Sequence, residues 1–561
     1  MKGRMMITFI LMFAGLAVIS PVAFSQSARQ IPKTMASISG VVKDNAGNPV
    51  RGATVTATSG FVSVSRYTDQ SGRYRIPDLK PGQYMVSATA WGYSRQDNAT
   101  EIAQDADINF RIELHWDVSR ISTSDWLSFF GEDKDFLPLE AACVGCHNLN
   151  RPVGQRGKTA QQWKDLILDR GKRGTGMTLF PEKVVVRVSA LLAKRFGPDS
   201  PIPTRDQVQH PTISDAALKA TIREYLTPAK AGAYILSVAV DSEGNAWFGD
   251  SATNQIGRLN PKTETFQVYQ VPTPNAGLHH VMVAKDGKVW IANNSSNQLT
   301  VLEPKTGKLT QYKPETAGSP HVLTFDSAGI IWYTDNRSNT LWKFDSRSEK
   351  FTEYKVPVPE IAPADSFRAI MTIPGVPPTD HEIVTYGIAV DSHDKVWFCE
   401  YGLGKIARFD PTTEKFTEYS VPGISSLRGM AIDSEDNLWF ANFLGHKLGK
   451  LNSSTGKVQQ FQPPTRYASP YGVYVAKDGY VWYTDSTGDQ ITSFNPKTEE
   501  FVEYPLPTHH ATSRFMGEDP SGKIWFSELW GGKVVSLDPG RAPGSTVKVP
   551  PVSASVRSSN R

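Results

Sequence analysis

Residues 143–147 read CVGCH, and Cys143 and Cys146 are two of only three cysteines in the 561-residue chain. Two cysteines separated by two residues can form the two thioether bonds that attach a c-type haem, and the histidine that follows is then placed to ligate the iron. A redox-active CxxC pair is expected beside a βαβ pattern, and a zinc site needs a second ligand pair nearby; the sequence offers neither. The motif therefore predicts haem c on Cys143 and Cys146, with His147 as an iron ligand.

The second iron ligand has one strong candidate, Met177. It is the only methionine between Met85 and Met282, and it lies in a glycine-rich loop between TAQQWKDLILDRG and PEKVVVRVSALLAKRFG, which have helical periodicity. Methionine is a usual second ligand of an electron-transfer haem and raises its potential. A packing role for Met177, ligation by His210 and an open iron site are the alternatives.

This helical segment, residues 120–200, resembles a small class I-like cytochrome c at CVGCHNLNR, at Trp163 and at LLAKRFGPD. The resemblance implies a small helical domain with one haem and a role in electron transfer. The expected partner is a redox protein or a small-molecule donor.

The first 25 residues have the layout of a secretory signal peptide. Lys2 and Arg4 precede an apolar run to Ile19, which is too short to span a bilayer, and small residues at Ala23 and Ser25 suggest cleavage before Gln26. An uncleaved anchor is the alternative. No later stretch has the ~18 apolar residues of a membrane helix, so we expect a periplasmic or secreted protein without a membrane span.

The formal net charge is +4, and basic and acidic residues are interspersed along the chain. This pattern does not indicate a nucleic-acid-binding surface.

One pattern repeats from residue 222 to residue 540, an aromatic pair after a turn. The repeats are spaced by 43, 42, 65, 42, 43 and 43 residues, and a period near 42 with several short strands predicts a seven-bladed β-propeller. IREYLTP at 222–228 matches the ends of the repeats, so we expect it to complete the last blade; a helix ending there is the competing interpretation. The long interval contains residues 361–382, a candidate lid. The repeat tryptophans are Trp247, Trp290, Trp332, Trp397, Trp439, Trp482 and Trp525.

Two further positions of the repeat are mostly polar. Equivalent positions of successive blades form a ring around the axis, and both rings should lie near the same mouth of the central channel, where solvation alone also favours polar residues. The first ring, eleven residues before each tryptophan, consists of Leu236, His279, His321, Tyr386, Arg428, Tyr471 and Arg514. The second ring, three residues after it, consists of Asp250, Asn293, Asp335, Glu400, Asn442, Asp485 and Glu528.

Residues 230–540 resemble virginiamycin B (streptogramin) lyase, through repeats such as DSEGNAWFGDSATNQIGRLNPKT and FVEYPLPT. The resemblance implies a propeller with its site on the axis, and an elimination that opens a cyclic depsipeptide lactone with a histidine base and a glutamate-held Mg²⁺. In the first and second rings, the pair that matches the family's histidine and acid is His321 and Asp335. His321 lies within SPHVLTFD, and Asp335 lies in the strand that follows. The pair falls in the third blade, whereas the family's pair is late in the ring; the sixth blade offers Tyr471 and Asp485.

Residues 36–115 alternate apolar and polar positions between turns, which predicts a small β-sandwich. They resemble the carboxypeptidase regulatory-like domain at GNP (47–49), GRY (72–74) and LKPGQY (79–84). The resemblance implies an accessory domain, sometimes linked to glycan or surface binding, or else a spacer.

Taken together, the sequence predicts a mainly β protein. Its domains would be a β-sandwich, a small α-helical cytochrome c domain, a proline-rich connector and a seven-bladed propeller, followed by a mobile tail from 541. We expect an exported haem c protein whose propeller binds a ligand or partner. A lyase-like enzyme using His321 and Mg²⁺ near Asp335, and a surface-binding module with a vestigial haem, are the alternatives. Cys399 should be a small buried residue.

Overall fold

The computed structural model describes residues 35–131, 144, 149, 154–173, 182–208, 213–229, 232–335, 338–357 and 385–541. Several predicted features lie outside these ranges: the signal peptide, Cys143, Cys146, His147, Met177, His210, the candidate lid and the tail.

The N-terminal unit is a β-sandwich, as the alternating pattern predicts. One sheet has the order β4-β1-β7 with β8 also on β1, and the other contains β3-β2-β5-β6. Gly40 is required where the sheets meet, because a Cβ there would lie 1.8 Å from the Ile108 carbonyl oxygen. The strands are β1 (Ala36–Asp44), β2 (Thr54–Ser59), β3 (Val62–Tyr67), β4 (Arg73–Leu79), β5 (Gly82–Thr89), β6 (Gln96–Ile102), β7 (Ala106–Asp107) and β8 (Phe110–Ile112).

Three α-helices follow: α1 (Thr123–Phe130), α2 (Ala160–Arg173) and α3 (Glu182–Phe196). Ser122 caps α1 by accepting the Asp125 N–H, and Gly131 ends that helix at positive φ. Trp126, Trp163 and Phe196 lie in the apolar core of this helical unit. None of the helices within the described ranges has the length and hydropathy of a membrane span. A cytochrome c fold for this unit stays a prediction.

The rest of the described chain forms seven four-stranded antiparallel sheets, the blades of a propeller. Blade 1 contains β10 (Ile235–Val240), β11 (Ala246–Asp250), β12 (Gln255–Asn260) and β13 (Thr265–Gln270); blade 2, β14 (Leu278–Val283), β15 (Val289–Asn293), β16 (Gln298–Glu303) and β17 (Lys308–Tyr312). Blade 3 contains β18 (Pro320–Phe325), β19 (Ile331–Asp335), β20 (Thr340–Asp345) and β21 (Lys350–Lys355); blade 4, β22 (Thr385–Val390), β23 (Val396–Glu400), β24 (Lys405–Asp410) and β25 (Lys415–Ser420). Blade 5 contains β26 (Leu427–Ile432), β27 (Asn437–Asn442), β28 (Lys447–Asn452) and β29 (Val458–Phe461); blade 6, β30 (Pro470–Val475), β31 (Val481–Asp485), β32 (Gln490–Asn495) and β33 (Glu500–Pro505). Blade 7 contains β34 (Met516–Glu518), β35 (Ile524–Glu528), β36 (Lys533–Asp538) and, from the other end of the chain, β9 (Thr221–Leu226).

The repeat tryptophan ties each blade's second strand to the turn before it. In five blades its indole N–H donates to an aspartate six residues earlier, as from Trp247 to Asp241 at 2.8 Å and from Trp525 to Asp519 at 3.0 Å. The spacing seen in the sequence therefore reports a buried hydrogen bond as well as an apolar anchor.

Strand β9 closes the ring, which confirms the interpretation of IREYLTP. It pairs with β36 along one edge and with β3 of the sandwich along the other, so blade 7 and one sandwich sheet form a continuous eight-stranded sheet. The N-terminal unit is thus hydrogen-bonded into the propeller, and it covers a strand edge that would otherwise be exposed.

A buried polar cluster fastens β9 to blade 7. Lys533 Nζ lies 2.8 Å from Glu224 Oε1 and 3.6 Å from Glu528 Oε2, and the Thr508 hydroxyl donates to Glu224 at 2.6 Å. Glu224 is 3% exposed. Removing one partner from such a cluster leaves the others buried with fewer contacts, which is strongly unfavourable.

We therefore expect Glu224→Ala to lower the free energy of unfolding by about 2 kcal/mol, since Lys533 and Thr508 lose a buried acceptor. The shift in the urea midpoint at constant slope measures this change. Glu101→Ala, at an exposed position of β6, is the matched control and should change stability by less than about 0.5 kcal/mol. Equal stability of the two variants would contradict the fastening role.

Candidate functional site

The side chains of the first ring meet at the propeller axis. The ring centroids of His279 and His321 are 4.1 Å apart, and those of His321 and Tyr386 are 4.2 Å apart. The Tyr386 and Tyr471 hydroxyls hydrogen-bond to each other, and Arg514 donates to the Tyr471 hydroxyl. We call the group that fills this mouth the axial cluster: His279, His321, Tyr386, Arg428, Tyr471 and Arg514.

Glycines beside the axial cluster allow it to be so compact. Gly429 follows Arg428, and a Cβ there would lie 2.6 Å from the Tyr471 carbonyl oxygen of the next blade. A Cβ on Gly472 would lie 2.0 Å from the Arg514 carbonyl oxygen. Side chains at these positions would push the inner strands of blades 5 to 7 apart, so the glycines bring their ring residues into contact.

Arg428 lies within a cage of aromatic rings. Its guanidinium carbon is 5.0 Å from the Tyr386 centroid, 4.2 Å from Tyr401, 4.9 Å from Phe443 and 5.2 Å from Tyr471. Its Nη2 also lies 3.3 Å from the Tyr401 hydroxyl. Ring faces stabilise a desolvated cation, so the cage allows a charge that always remains ionised to be buried.

The histidines of the axial cluster are neutral at physiological pH. Burial, followed by the charge of Arg514, lowers the pKa of His279 to about 3. Burial and the neighbouring histidines hold the pKa of His321 well below its ordinary value, and burial raises the pKa of Tyr471 well above its own. The two guanidinium groups therefore supply the charge of the axial cluster, beside neutral imidazoles and phenols.

Most of the second ring has a structural role. Four of its five shorter members, all except Asn293, accept the backbone N–H of the residue sixteen positions earlier, which joins the start of the inner strand to the end of the second strand. These hydrogen bonds run from Tyr234 to Asp250 (2.9 Å), Ser319 to Asp335 (2.6 Å), Ser426 to Asn442 (3.2 Å) and Ser469 to Asp485 (2.9 Å).

The two members of the predicted catalytic pair, His321 and Asp335, have different surroundings. The Asp335 carboxylate accepts the N–H groups of Ser319 and Ser338. His321 stacks between His279 and Tyr386, and its Nδ1 has no hydrogen-bond partner among the described residues. The catalytic roles of His321 and Asp335 stay predictions.

The two glutamates of the second ring differ from its shorter members. Both are fully buried. The Glu400 carboxylate makes no hydrogen bond to any described residue, and burial raises its pKa to about 8. Burial and Glu224 raise the pKa of Glu528 well above its ordinary value, and Lys533 is its neighbour.

The helical unit lies against the same face of the propeller. The Ser124 N–H donates to the Thr487 carbonyl at 3.0 Å, and His510 Nε2 lies 2.7 Å from the Ser119 carbonyl oxygen. Val144, between Cys143 and Gly145, is 1% exposed and belongs to one apolar cluster with Tyr386 and Phe443. One continuous core thus joins the chain at the CVGCH motif to the axial cluster.

Two buried indole N–H groups in the helical unit are unsatisfied. Trp126 and Trp163 are 1% and 2% exposed, and neither Nε1 atom has a hydrogen-bond partner among the described residues. Unpaired buried donors are unfavourable and uncommon in native proteins. Among the described residues of the helical unit, no acceptor meets these two donors.

Sequence reasoning identified the axial cluster but missed Tyr401 and Phe443. Both follow a second-ring residue directly, four positions after the repeat tryptophan, and both contact Arg428. An aromatic residue at that position in two successive blades was the available signal. Cys399 is fully buried, as predicted.

Together, the seven blades, the closing strand and the polar cluster at one mouth define a seven-bladed β-propeller with a candidate site on its axis. The profile of the virginiamycin B lyase family matches residues 207–368 and 371–547, more than half of the sequence. The chain belongs to this family. The carboxypeptidase regulatory-like domain matches residues 37–115, in agreement with the sandwich.

The chain is similar to two solved structures. A virginiamycin B lyase from Staphylococcus aureus is 22% identical, with 57% of this chain and 99% of that chain covered and a TM-score of 0.49. A streptogramin B lyase is 23% identical, with 58% and 99% covered and a TM-score of 0.50. No curated protein matches the chain. Likeness at this level of identity concerns the fold alone.

The neutrality of His321 predicts how stability depends on pH. The unfolded chain protonates this histidine near pH 6.5, whereas the native protein does not, so the native state loses stability as the pH falls below that value. Relative to His321→Phe, the parent should lose about 1.4 kcal/mol per pH unit between pH 6 and pH 4.5. Urea unfolding of both proteins across this range measures the difference.

Asn98→Phe replaces an exposed residue of β6 that does not ionise and is the control; its stability difference from the parent should not change with pH. If the stability difference between the parent and His321→Phe is also independent of pH, His321 is protonated to the same extent in the native and unfolded states. The native protein then carries a charge on His321, which would contradict its neutrality.

Proposed function

We propose that this chain is an exported c-type haem protein that transfers electrons, with its haem on Cys143 and Cys146 beside the axial mouth of the propeller. The observation that carries the proposal is the burial of Val144, the residue within the motif, in the core shared with the axial cluster.

The residues around the motif fit a haem. Cys143 and Cys146 would form the thioether bonds, and His147 and Met177 would ligate the iron. The indole N–H groups of Trp126 and Trp163, which meet no acceptor within the described ranges, would donate to the oxygens of the propionates. When bound, the haem supplies one-electron chemistry. The apolar core of the helical unit would exclude water and raise the haem's potential.

The propeller would give this haem a specific neighbour. The helical unit packs on the face where Arg428 and Arg514 contact the phenols of Tyr386 and Tyr471. A redox partner protein or a small-molecule donor would exchange electrons with the haem, and the propeller would bind a ligand or partner. The signal peptide would direct the chain to the periplasm or outside the cell, where haem c is attached.

A second candidate function is a lyase-like elimination at the axis. The observation in its favour is His321, a neutral histidine beside guanidinium groups that could stabilise negative charge. Asp335 would be the Mg²⁺ ligand, since each of its oxygens accepts one backbone N–H group and keeps a further lone pair. Within the described ranges, no group of three or more His, Cys, Asp or Glu side chains is arranged to hold a metal ion. Magnesium-dependent opening of a cyclic depsipeptide, lost in His321→Ala, would distinguish this function.

The haem proposal predicts a covalent chromophore. The mature protein, produced in a host competent in cytochrome c maturation, should absorb in the Soret region, and the absorbance should stay with the protein through acid-acetone extraction. Cys143→Ala combined with Cys146→Ala should abolish this absorbance. Cys399→Ala is the matched control, because Cys399 is buried in blade 4, and it should keep the absorbance. A colourless parent protein would contradict the proposal.

The ligand assignment predicts a change in spin state. Met177→Ala should keep the covalent haem, lose the low-spin spectrum and lower the reduction potential, because the thioether ligand is removed. Met85→Ala, at an exposed position of β5, is the control and should keep the spectrum. A low-spin spectrum unchanged in Met177→Ala would exclude Met177 as the ligand.

A further inference from the structure

The two mouths of the axial channel have opposite character. The axial cluster fills one mouth with polar side chains that are mostly buried. The inner strands end at the other mouth, and there the residue seven positions before each repeat tryptophan is half-buried; six of these seven residues are apolar. They are Val240, Val283, Phe325, Val390, Ile432, Val475 and, as the one ionisable member, Glu518.

Between the two ends lies a cavity of about 380 Å³. Its wall includes Leu323, Ile388, Met430, Val473 and Met516, and the cavity has the size and apolar lining typical of small-molecule sites.

His280 supplies a directional polar group in this wall. Its Nδ1 accepts the Leu323 N–H at 3.4 Å, and its ring lies edge-to-face with Phe515 at 4.7 Å between centroids. A neutral imidazole that accepts at Nδ1 carries its proton on Nε2. Burial lowers the pKa of His280 to about 3, which keeps the ring neutral. The Nε2–H group is then a donor for a molecule in the channel.

We propose that the axial channel binds a neutral, mainly apolar small molecule with one hydrogen-bond acceptor. Its ring or chain would occupy the apolar wall, and its acceptor would meet His280 Nε2. An anionic ligand would lose its hydration without gaining a counter-charge from a neutral imidazole and would face Glu518, and a cationic group offers no acceptor to the His280 Nε2–H. This site opens on the opposite side of the propeller from the axial cluster, and it does not depend on the haem.

The test is equilibrium dialysis of the full-length protein, with ligand quantified by chromatography so that haem absorbance does not interfere. The probes are 2-acetonaphthone, an apolar ketone, and 2-ethylnaphthalene, which has a similar shape without the acceptor. We expect saturable binding of one ketone per chain, and about tenfold weaker binding of the hydrocarbon. Absence of saturable ketone binding would overturn the proposal.

Variants locate the site. Ala431→Phe and Ala389→Phe each fill the channel from a half-buried position and should weaken ketone binding more than tenfold. Val268→Phe, on the exposed face of β13, is the matched control and should bind like the parent. His280→Phe should reduce ketone affinity to that of the hydrocarbon. Parent-like affinity in both filled variants would place the ligand elsewhere, and parent-like affinity in His280→Phe would overturn the role of His280.

Discussion

Strand β9 is hydrogen-bonded along both edges, and this constraint determines the arrangement of the whole molecule. One edge closes the propeller through β36, and the other joins the N-terminal sandwich through β3. The helical unit connects β8 of that sandwich to β9, so both of its ends are held near blade 7. Its contacts at Thr487 and His510 then place it over the loops of the last two blades. Val144, the described residue of the CVGCH motif, thereby joins the apolar core that also contains Tyr386.

The electrostatic arrangement of the axis follows from the close approach of the inner strands. Small residues beside the axial cluster let side chains of successive blades touch, and water is excluded from between them. Neutral imidazoles, phenols and caged guanidinium groups are the species that remain stable in such a dry site. The opposite mouth is open and apolar. The polar mouth therefore presents its polar groups on the face that the helical unit covers. The apolar mouth is open to a small molecule from solution.

Periodicity predicted the parts of the fold that repeat. The repeated tryptophan is buried in its blade, and its indole N–H donates to an aspartate of the preceding turn. Both features recur because each blade packs against its neighbours in the same way. The pairing of β3 with β9 could not be predicted, since it joins distant segments whose register no local pattern records. The sequence pattern predicted where the site residues lie, but not the hydrogen bonds that they make. It marks Asp335 as a polar residue near the mouth, whereas the Asp335 carboxylate accepts the Ser319 N–H. The cage around Arg428 was missed because its rings come from three blades.

The central proposal is that the CVGCH motif, whose Val144 lies in the apolar core shared with Tyr386, carries a covalent haem. The most direct measurement is the mass of the intact mature protein from a host that attaches haem c, followed by the mass of the proteolytic peptide containing Cys143, Cys146 and His147. The account predicts an intact mass greater than that of the polypeptide by one haem, with the whole increment on that peptide. An intact mass equal to that of the unmodified polypeptide would contradict it.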